Sequence, residues 1–136
     1  MTTNKDPIFL NSILTKNVSI DNADGTTPQL MFTAGADGGA ITRLSAASTD
    51  GSAVILVITI SDGALSVVVG EVSVPAGAGT NGTAPIKNLL DPAALLGLLQ
   101  ADETIVLGPA ATLSVNAKVA TSGVVTVIAQ GGQYNV

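Results

Sequence analysis

Between residues 16 and 130 the chain is a train of short runs of Val, Ile, Leu and Thr, broken by clusters of Gly, Asp, Asn, Ser and Pro. Apolar runs of this length, many alternating with polar residues and bounded by turn formers, specify β-strands. The pattern predicts strands over 17–20, 29–34, 40–47, 53–60, 64–74, 104–107, 112–120 and 124–130. Alternation is plainest in 112–120, where Leu113, Val115, Ala117 and Val119 share one face and Ser114, Asn116 and Lys118 the other. That is the signature of a strand with one wet side.

The 53–60 and 64–74 runs flank Ser61-Asp62-Gly63, and an Asp-Gly step between strand residues signals a hairpin. Both arms are apolar at successive positions, which predicts burial on both faces or nearly so. An exposed run such as Val54-Ile55-Leu56-Val57-Ile58 would invite aggregation, so this strand is expected at the centre of a sheet or under a partner subunit.

Helical character is confined to 91–99. Asp91 is placed to cap a helix start and Pro92 fits its first position, so one or two turns are predicted there. The 75–85 stretch, PAGAGTNGTAP, is read as a loop. Residues 1–15 show no strand period and are read as an N-terminal arm. Residues 16–136 form one domain. About eight short strands, evenly spaced turns and at most one short helix predict an all-β fold, an antiparallel β-sandwich.

Composition narrows the function. The 136 residues contain no His, Cys or Trp, so the usual general base and the usual soft nucleophile are missing, together with the common transition-metal ligands. Catalysis, a cofactor and a metal site are accordingly not expected. The net charge of -5, with five Lys and Arg against ten Asp and Glu, argues against binding nucleic acid through its phosphates. No apolar run approaches the roughly 20 residues of a membrane helix. Three aromatics, Phe9, Phe32 and Tyr134, cannot build the girdles of a membrane barrel.

Candidate chemistry is sparse. Asp21-Asn22-Ala23-Asp24-Gly25 has oxygen ligands before a glycine, but Phe32 stands where a calcium loop places its bidentate Glu, so a turn is expected. Asp102-Glu103 would point to opposite faces of a strand and is read as a solvated loop. A glycosidase carboxylate pair is formally available among ten acids, though aromatic sugar platforms are scarce.

Three stretches resemble a known family. Phe32-Thr33-Ala34-Gly35-Ala36-Asp37-Gly38-Gly39-Ala40-Ile41-Thr42-Arg43-Leu44 is similar to a signature of small proteins encoded among tailed-phage head genes. Glu71-Val72-Ser73-Val74-Pro75-Ala76 is similar to their strand end, and 111–134, closing on Gly131-Gly132-Gln133-Tyr134, to their last strands and tail. The resemblance is to the jelly-roll capsid decoration, or cement, proteins of tailed phages. It implies a jelly-roll sandwich, made in the host cytoplasm, that binds the major capsid protein on the outer surface of the virion as a homotrimer. Ile8, Phe9, Leu10, Ile13 and Leu14 of the arm, and Tyr134, are the residues expected to touch the shell or a neighbouring subunit. The alternative is a β-sandwich module on a tail or fibre that binds a host-surface glycan.

Overall fold

The computed structural model describes residues 10–95 and 97–134. Its strands are β1 (Leu10–Ile20), β2 (Gln29–Thr33), β3 (Gly39–Ser48), β4 (Val54–Ser61), β5 (Ser66–Val74), β6 (Lys87–Asn88), β7 (Ile105–Leu107), β8 (Thr112–Ala117) and β9 (Val125–Tyr134). A 3-10 turn, Asn22–Asp24, follows β1, and a four-residue helix, α1 (Pro92–Leu95), lies between β6 and β7. One sheet has the order β1-β9-β3-β6, with β7 also on β3; the other has the order β2-β8-β4-β5.

All pairings are antiparallel; four levels of them nest, while β3–β9 and β4–β8 join those levels into the two sheets. The β4–β5 hairpin is innermost, β3 meets β6 and β7, β2 meets β8, and β1 meets β9. This is the pairing order of a jelly roll, a long hairpin folded across two sheets. Nine strands appear where about eight were expected, because β6 and β7 share one strand position beside β3.

The core lies between the sheets and is aliphatic apart from Phe32 and Met31. Ile41, Leu44 and Val127 of the first sheet and Leu56, Ile58, Leu113 and Val115 of the second are fully buried. The run 54–58 sits in β4, between β8 and β5, at the central position its sequence demands. Hairpin closure follows the Asp-Gly signal. Asp62 Oδ1 accepts the N–H groups of Ala64 and Leu65, both at 2.9 Å, and Gly63 takes φ 96°.

Three expectations need correction. Residues 10–15, assigned to an arm, are the first half of β1, with Ile13 opposite Gly132 and Leu14 opposite Gly131. They hide because this edge strand is exposed on most positions and shows no alternation. The strand expected to end at 130 continues to Tyr134, since Gly131 and Gly132 pair with β1 and β3. A side chain at Gly131 would run into the Ala40 carbonyl, so glycine here marks close strand packing rather than a tail. Finally, neither hairpin arm is buried on both faces: β4 is central but leaves Ile55 exposed on its outer face, and β5 is an edge strand with Val67 and Val68 exposed.

The leucine-rich 89–99 stretch closes one side of the sandwich. Leu89, Leu90 and Leu95 are buried, the Leu89 N–H donates to the Leu44 carbonyl at 2.7 Å, and α1 packs on β5. Its start is capped as expected, with the Ala93 N–H donating to Asp91 Oδ1 at 2.9 Å.

Candidate contact surfaces

A sandwich that works by contact is described by what its surface leaves uncovered. Ile8 and Phe9 lie outside the described residues. Leu10 and Tyr134 stand opposite each other in the β1–β9 ladder, so the structure brings these two expected contact residues together at one end of the first sheet. Ile13, on the same strand, is 85% exposed, and Leu14 is 36% exposed.

Leu14 opens onto a groove that sequence reasoning missed. The groove follows the side of the sandwich where β1 of one sheet faces β2 of the other, and its volume is about 280 Å³. Leu30, Met31 and Phe32 of β2 and Ala129 of β9 line it with Leu14. A register irregularity between Leu30 and Phe32 turns the backbone here, leaving Leu30 44% exposed while Met31 and Phe32 are buried. An extra residue in one strand re-aims its neighbours in this way. Nothing in 29–34 announces such an irregularity. Leu65, Val67 and Val68, at the open end of β5, form a second exposed aliphatic patch.

The end of the sandwich that carries the β1–β2, β3–β4, β5–β6 and β8–β9 connections is held by Asp50. Its side chain is buried and accepts N–H groups from Ser52 (2.9 Å), Ser122 (2.9 Å) and Gly123 (3.1 Å). These bonds, the one from Gly123 foremost, hold its carboxyl below the ordinary value of 3.8. The Asp50 carbonyl accepts from the Gly77 N–H, and Thr80 Oγ1 donates to the Ser48 carbonyl at 2.7 Å. The glycine-rich 75–85 loop is thereby tied to the β3–β4 connection. Asn81 Oδ1 orders its tip by accepting from Thr83 and Ala84.

A polar recess of about 310 Å³ lies on the outer face of the first sheet, with Arg43, Asn88, Asp102 and Glu103 among its lining residues. Among the described residues the ion pairs are Lys87–Asp91 and Lys118–Glu71, both 3.1 Å, so Arg43 pairs with neither acid of its recess. Asp102 caps its own turn, accepting from Thr104 Oγ1 at 2.6 Å, as a loop reading requires. Asp21 and Asp24 likewise bond reciprocally around the 3-10 turn, in place of any calcium-loop geometry. No family model, curated protein or solved structure matches this chain.

Proposed function

We propose that this chain is a structural virion protein, a decoration protein that binds the outside of an icosahedral phage head as a homotrimer and strengthens it. The observation that carries the reading is a jelly roll with its loops fixed and its surplus aliphatic side chains outside. Ile13, Leu65, Val68 and Val119 are each more than half exposed. Leu65 and Val68 belong with Val67 to one patch at the end of β5, and a contiguous apolar patch left in water marks a protein–protein contact. The order of the three phage-like stretches along 32–134 supports the same reading. Threefold positions on a shell suit a cyclic trimer, because one patch then repeats around the axis.

The test is direct. Sedimentation equilibrium should return a mass near three chains, and the protein should cosediment with expanded phage heads but not with unexpanded precursor heads. A monomer that binds neither would overturn the proposal.

One observation favours a second reading, a glycan-binding module on a tail or fibre. Arg43, Asn88, Asp102 and Glu103 offer donors and acceptors suited to sugar hydroxyls. Labelled antibody seen on the tail, together with glycan binding lost in Arg43→Ala, would replace the first reading with this one.

A further inference from the structure

The two long sides of the sandwich are finished differently. One is plugged by Leu89, Leu90 and Leu95; the other is the open groove between β1 and β2. Among the described residues both strands framing the groove are edge strands, β1 paired with β9 alone and β2 with β8 alone. An occupant would therefore meet an apolar floor and two unpaired backbone rims, the setting for strand addition. At about 280 Å³ the groove is smaller than most small-molecule cavities and suits one or two side chains.

We propose that Ile8 and Phe9 of one copy fill the β1–β2 groove of a neighbouring copy. The two residues directly precede Leu10, where the register of β1 leads the chain away from its own groove. Leu10 is fixed opposite Tyr134 and Leu14 opposite Gly131. A register shift between Leu10 and Ser12 lets β9 span this interval in three residues, so at about 3.3 Å per residue the Leu14 wall lies about 10 Å back along β1 from Leu10. To return over it, the chain would have to reverse at once, and even the tightest hairpin spends two residues in its turn. Those residues would be Ile8 and Phe9 themselves, and only the polar stretch before Pro7 would reach the groove. In a second copy no such reversal is needed. Repeated head to tail, the exchange makes a ring when the rotation between copies is a third of a turn, as a homotrimer requires.

The inference rests on the homotrimer reading only for the number of copies in that ring; the exchange itself needs just a second copy. The 136 residues contain no cysteine, which makes the test clean. Phe9→Cys and Leu30→Cys are purified separately, mixed and oxidised. A disulfide-linked heteropair is expected, and none when Val119→Cys, exposed at the other end of the sandwich, replaces Leu30→Cys. Phe9→Ser should also weaken self-association by about 30-fold or more, as loss of a central aromatic anchor does. No heteropair above the Val119→Cys control, or self-association unchanged in Phe9→Ser, overturns the inference. Head binding is measured apart from both: cross-linking without head binding would sink the decoration reading alone, and head binding without cross-linking would sink the exchange alone.

Discussion

Leu95 and Gly70 should behave as one unit, and a double-mutant cycle on them tests how the sandwich is closed. Leu95, in α1, is 1% exposed, and the space a Cβ at Gly70 would need is already filled by its Cδ2. Leu95→Ala removes a fully buried branched side chain, which costs about 2–5 kcal/mol; ~3 kcal/mol is expected because a helix of four residues can settle only partly into the space. For 136 residues the unfolding entropy is about 0.29 kcal/mol/K, so Tm should fall by about 10 °C. Gly70→Ala should cost ~1–3 kcal/mol by overpacking. Combined, the new methyl occupies part of the vacated volume, so the double variant should be more stable than the sum of singles by about 1 kcal/mol. Urea unfolding and calorimetry at a single protomer concentration measure all four corners, since self-association would otherwise move Tm. Costs that add to within ~0.5 kcal/mol would refute the seating of α1 on β5.

Asp50→Asn keeps the shape but replaces one acceptor oxygen by an NH2, which then faces either the Ser52 N–H or those of Ser122 and Gly123, so it should destabilise the fold. Because the folded carboxyl is depressed, its stabilisation is complete above about pH 5 and fades as pH falls through the unfolded value of ~3.9 towards the folded one. The gap between wild type and variant should therefore shrink in acid, and a gap constant from pH 7 to pH 2.5 would contradict this. Glu103 holds φ 64°, and Glu103→Gly should stabilise by ~0.5–1 kcal/mol, the left-handed penalty of ~1–2 less the extra freedom of unfolded glycine; a loss in chemical denaturation would show that its side chain supports the turn. Val68→Lys on the β5 edge should leave stability within about 0.5 kcal/mol and slow light-scattering aggregation, whereas a large drop in the urea midpoint would mean this edge is covered.

What the sequence reveals is local. The hairpin around Asp62-Gly63, the cap at Asp91, the 75–85 loop and the alternation of β8 each follow from a few adjacent residues and are found, although β8 stops at Ala117 and Val119, expected on its buried face, is exposed. The misreadings arise where long-range pairing decides. Val67, Val68 and Val69 look like a buried strand in isolation, yet being at an edge depends on which strands fail to arrive beside them. Residues 10–15 look like no strand at all, because β9 supplies the register and water takes the other face. The groove was illegible for the same reason: Leu14 and Leu30 are 16 positions apart and meet only through the fold. Of the expected contact residues, Leu10, Leu14 and Tyr134 gain a structural setting, while Leu30 carried no local signal.

The asymmetry of the two sides suggests why a largely aliphatic jelly roll tolerates an open seam. Closing a side requires about ten residues of chain with buried leucines at the right depth, as 89–99 does beside β5. Had the β1–β2 side been closed in the same way, the protein would present smooth, weakly charged sheets with little to distinguish one partner from another. Left open, the seam presents a groove with a defined register, two strand edges and room for a short apolar insert. Under the proposed exchange, specificity would come from geometry in a chain with few of the aromatic and charged residues that usually supply it. A protein that must recognise identical neighbours repeatedly, rather than one ligand tightly, gains most from that arrangement, because each contact can be modest while the ring of contacts is not.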